Sequence, residues 1–206
     1  MIFFFDFDHT LFDTTELRRD INRIFLEGGI KQKSFDASYK ELAYGIGYDP
    51  NAQATLLAAE WRDLAARNVA NRSISDLMKS ARKYVFEGAR ELLEELKGSG
   101  HQLIVLTLGN CEWQRTKIVC SGLADLFDRM EIVPGPGRKA SRLEAITDGH
   151  EAATVIDDNP GELEAVMSAR SGFRCIYFRR PNNPYPNPGC EEVADISELR
   201  QLLRNV

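Results

Sequence analysis

The first eight residues constrain the fold more than any other stretch of the chain. Residues 1–5 are apolar without a polar break, and Asp6 and Asp8 follow with one apolar residue between them. Such a run is typical of a strand that is buried on both faces, as at the centre of a parallel sheet. Two carboxylates at the end of this strand repel each other and are costly to bury. The pattern therefore predicts a cation beside them.

Further apolar runs, separated by segments of helical periodicity, predict the rest of a parallel sheet. The runs cover residues 103–106, 153–156 and 175–178, and a short strand is predicted over 129–133. The helices are predicted over 89–97, 111–121, 140–146, 161–169 and 196–204. Buried strands that alternate with helices predict an α/β fold, a three-layer sandwich with a parallel Rossmann-like sheet.

Residues 13–85 carry no strand signal and predict an all-helical cap, inserted after the first strand. Helices are predicted over 14–28, 36–46, 52–70 and 74–84. The last of these follows a capping-box pattern at 73–76. The catalytic core would then consist of residues 1–12 and 86–206.

Charge, cysteine content and hydropathy narrow the class of protein. The formal net charge of −5 argues against non-specific nucleic-acid binding, which needs a basic surface. The four cysteines form no CxxC pair, which favours reduced thiols in a cytoplasmic protein. The sequence has no run of about 18 apolar residues, so no contact with a membrane is expected. The oligomeric state stays open between a monomer and a homodimer.

Reactive or phosphate-binding residues follow most of the predicted strands. Because the carboxyl ends of parallel strands lie at one edge of a sheet, these side chains are expected to meet there. The residues are Asp6, Asp8, Thr107, Lys139, Asp157 and Asp158.

This combination suits metal-assisted phosphoryl transfer. Clustered carboxylates bind hard cations, and Mg²⁺ typically takes one or two carboxylates together with water and substrate phosphate. One carboxylate beside the cation can attack phosphorus, and an acid two residues later can serve the leaving oxygen. Thr107 and Lys139 can donate hydrogen bonds to the phosphoryl oxygens.

The same residues resemble the four motifs of the haloacid dehalogenase (HAD) superfamily, chiefly its phosphatases. The first motif, Asp-x-Asp-x-Thr, is similar to residues 6–10, and the second, a strand ending in Thr or Ser, to residues 103–107. Lys139 resembles the third motif, and residues 156–158 resemble the fourth, a strand that ends in paired acids. The layout is similar to the phosphoglycolate phosphatase and β-phosphoglucomutase branches, which carry a helical cap.

The resemblance implies a role for each residue. Asp6 would form a phosphoaspartate, and Asp8 would be the general acid and base. Thr107 and Lys139 would bind the phosphoryl group of a small phosphorylated metabolite. The implied Mg²⁺ ligands are Asp6, the backbone carbonyl of Asp8, Asp158 and, as a further ligand or water holder, Asp157.

The chain departs from the family pattern at the fourth motif and in the cap. Many family members have Gly-Asp there, followed by a third acid, whereas this chain has Asp-Asp-Asn-Pro-Gly-Glu at 157–162, which leaves open which acid contacts the metal. The cap has no recognised signature. Arg18, Arg19 and Lys31 are its basic candidates, but a solvated face is the favoured interpretation. The loop 179–189 is likewise favoured as a plain surface connection.

Three alternatives to a phosphatase remain. A phosphomutase would use the same residues and return the phosphoryl group to the product. A dehalogenase needs the nucleophile but neither metal nor a second acid, so Asp8 and the 157–158 pair argue against it. A catalytically idle binding or regulatory module would not need the complete set of catalytic residues.

Overall fold

One parallel sheet positions the reactive residues. The computed structural model describes residues 1–45, 47–147, 152–169, 172–180 and 185–204. Within them the strands follow the order β3-β2-β1-β4-β5-β6, and every neighbouring pair is parallel. The strands are β1 (Ile2–Phe5), β2 (Gln102–Leu108), β3 (Arg129–Val133), β4 (Ala153–Asp157), β5 (Phe173–Phe178) and β6 (Glu191–Val193).

Helices cover both faces of this sheet, because its central strands are apolar on both sides. Phe3 and Phe5 of β1 belong to one buried cluster, and Ile2 and Phe4 to another. The first cluster includes residues of α5 (Ala89–Gly98), α6 (Cys111–Cys120) and α9 (Ile196–Leu203). The second includes residues of α7 (Arg138–Thr147) and α8 (Pro160–Ala169). The predicted three-layer α/β sandwich is confirmed.

Strand β6 was not predicted from the sequence. It has three residues at the edge of the sheet, and its two glutamates are exposed. So short and polar a strand has no apolar run that would reveal it.

The described residues between 13 and 85 contain no strand of the sheet. They form α1 (Thr14–Glu27), α2 (Gln32–Tyr44), α3 (Pro50–Leu56), α4 (Leu64–Lys79) and a 3-10 helix (Ala81–Tyr84). The predicted helix 36–46 therefore begins earlier, and Ile46 lies outside the described residues.

The predicted helices 52–70 and 74–84 are wrong in their boundaries. The helical conformation ends after α3, where the Trp61 indole Nε1 donates to the Ala54 carbonyl at 3.0 Å. Asp63 then caps α4 by accepting from the Ala66 backbone N–H at 2.7 Å. Helix α4 continues through the supposed capping box, because that stretch contains neither Gly nor Pro to end it.

The two chain crossings at the predicted cap boundaries lie side by side. The backbone N–H of Asp13 donates to the Tyr84 carbonyl at 2.7 Å, and that of Phe86 donates to the Leu11 carbonyl at 3.0 Å. One buried cluster nevertheless extends from the sheet into the helical segment. The division into core and cap stays a prediction.

Candidate active site

Three buried carboxylates meet at the carboxyl edge of the sheet. Asp6 follows β1, and Asp157 and Asp158 stand at the end of the neighbouring β4. The Asp6 backbone N–H donates to the Ile156 carbonyl at 2.9 Å, which fixes this juxtaposition. One oxygen from each of the three carboxylates lies within 4.8 Å of the others. Buried hard oxygen donors at this spacing fit a Mg²⁺ ion.

Lys139 lies inside this acid cluster. Its Nζ is 2.6 Å from Asp6 Oδ1 and 2.6 Å from Asp157 Oδ2, and only 2% of the residue is exposed. Burial, with the nearby Asp157 and Asp158, raises the pKa of Asp6, and the Lys139 ammonium opposes that rise. Burial would lower the pKa of Lys139, but Asp157 and Asp6 raise it, so the ammonium stays charged.

The loop before Lys139 is held by an acid that the sequence did not single out. Glu162 on α8 accepts from the Gly137 backbone N–H at 2.7 Å. On the same side, Asp157 Oδ1 accepts from the Asn159 backbone N–H at 2.9 Å. These bonds tie the start of α7 to the start of α8, and so place Lys139 beside Asp157.

Arg180 also reaches the acid cluster. Its Nη2 lies 2.6 Å from Asp158 Oδ2. Burial and Asp157 raise the pKa of Asp158 to about 7, although Arg180 opposes the rise. The prediction that 179–189 is a plain surface connection is therefore wrong at Arg180, and residues 181–184 lie outside the described residues.

Thr107 lies at the same edge, near the end of β2. It is 1% exposed, and its Oγ1 accepts from Gln114 Nε2 at 3.3 Å. Asn110 caps the following helix by accepting from the Trp113 backbone N–H at 3.0 Å. Helix α6 therefore begins four residues after Thr107, and the Gln114 side chain on it contacts Thr107.

Asp8 has its own set of donors, separate from Lys139. Its Oδ1 accepts from Thr14 Oγ1 and from Lys117 Nζ, and its Oδ2 accepts from Gln114 Nε2 at 2.7 Å. Burial would raise the pKa of Asp8, but the Lys117 ammonium and the three hydrogen bonds lower it to about 2. Asp8 is therefore a carboxylate in an ion pair with a buried lysine.

The turn after Asp8 depends on His9. Its φ of 65° lies in the left-handed region, and its backbone N–H donates to the Phe12 carbonyl at 2.7 Å. Burial, with a contribution from Arg180, lowers the pKa of the His9 imidazole to about 4. His9 thus shapes the loop that follows Asp8.

A cavity of about 420 Å³ opens beside Asp8, between the sheet edge and helices α1 and α2. Asn110 and Asn159 line it from the sheet side, and Arg18 and Tyr39 from the helical side. Arg18 therefore lines the cavity with a side chain that is 40% exposed, whereas the side chain of Arg19 is 71% exposed beside Glu16.

Sequence reasoning missed five residues of this site: Thr14, Gln114, Lys117, Glu162 and Arg180. A partial signal exists for two of them. Gln114 and Lys117 are three residues apart, so they share a face of the helix that follows the Thr107 strand. Nothing in the sequence indicates that this face points at Asp8.

The family of the chain follows from a comparison with family models. The model described as haloacid dehalogenase-like hydrolase matches residues 3–134, which contain Asp6, Asp8 and Thr107. The chain belongs to the haloacid dehalogenase-like hydrolase family. The HAD motifs that the sequence resembles thus lie in a chain with the HAD fold. A comparison with curated proteins finds no match.

Solved structures share the fold at low sequence identity. A protein described as a haloacid dehalogenase-like hydrolase from Burkholderia xenovorans LB400 is 19% identical, with a TM-score of 0.69 over 99% of this chain and 96% of that one. A protein described as the HAD-hydrolase YfnB of Bacillus subtilis, bound to magnesium, is 17% identical, with a TM-score of 0.64 over 98% of each chain. L-2-haloacid dehalogenase from Xanthobacter autotrophicus is 14% identical, with a TM-score of 0.62 over 100% of this chain and 98% of that one.

None of the described helices combines the length and the apolar character that crossing a membrane requires.

Proposed function

We propose that the protein is a Mg²⁺-dependent phosphatase that hydrolyses a small phosphorylated metabolite. The observation that carries this proposal is the buried cluster of Asp6, Asp157 and Asp158, whose oxygens lie within 4.8 Å of one another in a HAD-family chain. The three carboxylates face two protein cations, Lys139 and Arg180, which leaves one excess buried negative charge for a divalent cation to compensate.

Asp6 is the nucleophile in this proposal. A bond forms between an Asp6 carboxylate oxygen and phosphorus while the bond from phosphorus to the leaving oxygen breaks. Asp6, Asp157 and Asp158 would hold the Mg²⁺, with the backbone carbonyl of Asp8 as a further ligand. The bound metal supplies positive charge to the phosphoryl oxygens. Lys139 and Thr107 orient the phosphoryl group by donating to its oxygens.

The proton for the leaving oxygen is held by the Lys117–Asp8 pair. This proton is the one that Lys117 Nζ donates to Asp8 Oδ1 in their hydrogen bond. The leaving oxygen takes that proton as it departs. In the second step, water attacks the phosphoaspartate, and Asp8 accepts the proton that the water loses.

Phosphate release with and without Mg²⁺ tests this proposal. The wild-type protein is expected to release phosphate from some members of a broad panel of phosphorylated metabolites, and only with Mg²⁺ present. D6N should lose this activity, while D76N, an exposed site on α4 paired with Lys79, should keep it. Full activity of D6N, or release that is unaffected by a metal chelator, would contradict the proposal.

A dehalogenase is the second candidate, and two ion pairs favour it. Arg180 binds Asp158 at 2.6 Å, and Lys117 binds Asp8. Asp158 and Asp8 are thus both neutralised by protein cations, as a reaction without metal would allow. A structurally similar protein is a haloacid dehalogenase with chloropropionic acid covalently bound. Chloride release from a 2-haloacid in the absence of Mg²⁺, with no phosphate released from the metabolite panel, would favour this candidate.

A further inference from the structure

We propose that the cavity beside Asp8 binds the alcohol part of the substrate, and that this part is an aromatic ring carrying a carboxylate. This inference rests on the proposed phosphatase function. The cavity contacts Asp8 and the loops at the ends of β2 and β4, so a phosphoryl group at Asp6 would leave the rest of its ester in this space. Its volume of about 420 Å³ lies in the range of small-molecule sites.

Aromatic rings form one continuous wall of the cavity. The ring centroids of Tyr39 and Tyr48 are 4.6 Å apart, and Trp113 meets Tyr48 edge-on at 6.5 Å. The Tyr48 hydroxyl donates to Gln53 Oε1 at 2.8 Å, so Tyr48 offers the cavity its ring rather than a free hydroxyl. Leu17 extends the apolar surface from α1. A flat apolar ligand would find stacking partners here.

Three polar side chains of the cavity wall are already engaged with Asp8. Thr14, Lys117 and the Gln114 amide N–H₂ all donate to Asp8. A polyhydroxylated alcohol could bind these three donors only by breaking their bonds to Asp8, which is costly. Gln114 Oε1 is a buried acceptor that no donor among the described residues reaches.

Arg18 would recognise the carboxylate. Its guanidinium carbon lies 3.9 Å from the centroid of the Tyr39 ring, which holds the planar group at the cavity wall. Its Nη2 contacts Asp36 at 3.1 Å, and the two side chains are 40% and 50% exposed. Such exposed pairs contribute little to stability, so a substrate carboxylate can replace Asp36 at the guanidinium.

Four phosphate compounds test this substrate class. Benzyl phosphate, 4-carboxybenzyl phosphate and glucose 6-phosphate are all esters of primary alcohols, so their leaving groups have similar intrinsic reactivity. Acetyl phosphate has a leaving group too small to contact the cavity walls, so its hydrolysis measures phosphoryl transfer without a contribution from the cavity. We expect kcat/KM with Mg²⁺ to be at least about tenfold higher for 4-carboxybenzyl phosphate than for benzyl phosphate, which corresponds to one charge-assisted hydrogen bond. Glucose 6-phosphate should be the poorest of the three esters.

Two neighbouring arginines on α1 give a matched pair of variants. R18Q should reduce the preference for 4-carboxybenzyl phosphate over benzyl phosphate by about tenfold, because the charge that reads the carboxylate is gone. R19Q changes a residue that is 71% exposed and paired with Glu16, so it should keep the wild-type preference.

The outcomes separate this inference from the proposed function. Mg²⁺-dependent hydrolysis of acetyl phosphate without preference for the benzyl esters would overturn the inference and leave the phosphatase function standing. An unchanged preference in R18Q would overturn the assignment of Arg18. Failure to hydrolyse any of the four compounds would overturn the inference, and failure across the broad metabolite panel as well would overturn the phosphatase function.

Discussion

At the scale of single residues, the site contains two buried lysines, each in an ion pair with one acid of the first motif. Lys139 contacts Asp6, and Lys117 contacts Asp8. Both lysines are nearly inaccessible to solvent, at 2% exposure each. The sequence predicted Lys139 because it resembles a family motif. It could not predict Lys117, because that contact joins residues 109 positions apart and depends on how α6 packs.

Replacing Lys117 should be costly for a specific reason. K117M leaves the largely buried Asp8 without its cation, and we expect the free energy of unfolding to fall by about 3 kcal/mol. The double variant K117M/D8N removes both charges and should recover most of that loss. Urea denaturation measures both values.

The matched control is K79M, which breaks an exposed pair with Asp76 on α4. Its cost should stay below about 1 kcal/mol. Equal losses in K117M and K79M would contradict the buried ion pair.

At the scale of elements, helix α6 organises the substrate side of the site. It begins at its Asn110 cap and sends Gln114 and Lys117 to Asp8 from one face. The sequence predicted this helix over 111–121, close to its observed bounds of Cys111–Cys120. It missed the break between α3 and α4, because that break depends on the burial of Trp61, a tertiary contact.

The loop between α2 and α3 touches the start of α6 through Gly47. Gly47 has a φ of 87°, and a Cβ there would lie 2.3 Å from the Asn110 backbone nitrogen. G47A should therefore displace the backbone beside the cavity and lower kcat/KM for phosphate release by about tenfold or more, because small misplacements at an active site are costly.

G100A provides the control for this prediction. Gly100 has a similar φ of 80°, but a Cβ there would have no neighbour within 4 Å. G100A should share the conformational cost of about 1 kcal/mol in unfolding free energy and keep its activity. Equal effects on activity in the two variants would contradict a contact between Gly47 and the site.

Helix α1 is tied to the 3-10 helix by the buried Asp20. Its carboxylate accepts from Lys83 Nζ at 2.8 Å, from the Tyr84 hydroxyl and, within α1, from Arg23 at 2.6 Å. Burial would raise the pKa of Asp20, but these donors lower it below its ordinary value. The stabilisation is therefore present above the unfolded pKa of about 3.9, and is lost as pH falls through the lower folded pKa.

D20N should reduce the free energy of unfolding by about 2 kcal/mol at pH 7, since a charged acceptor of three donors is lost. The difference from the wild-type protein should shrink as pH falls below about 4, because Asp20 is then protonated in the unfolded wild-type chain, and it should vanish once the folded Asp20 is protonated as well. Urea denaturation across this pH range measures the difference. A difference that stays constant down to about pH 3 would contradict the lowered pKa of Asp20.

At the scale of the whole molecule, the sheet brings distant parts of the chain to one edge. Because β1 lies between β2 and β4, Asp6, Thr107 and Asp157 converge although they are far apart in sequence. This convergence could be predicted from the sequence. Buried parallel strands are visible as apolar runs, and the reactive residues directly follow those runs. The cavity could not be predicted, because its walls come from α1, α2 and α6 together.

Trapping the intermediate tests the central claim, that Asp6 is a phosphoryl-accepting nucleophile. The protein would be quenched during turnover of a substrate found in the phosphate-release screen, with Mg²⁺ present. Borohydride reduction of the acyl phosphate would then mark the modified residue for mass spectrometry. We predict conversion of Asp6 to homoserine in the wild-type protein and no such modification in D6N. Modification of a different residue, or steady phosphate release without any modified Asp6, would contradict this claim.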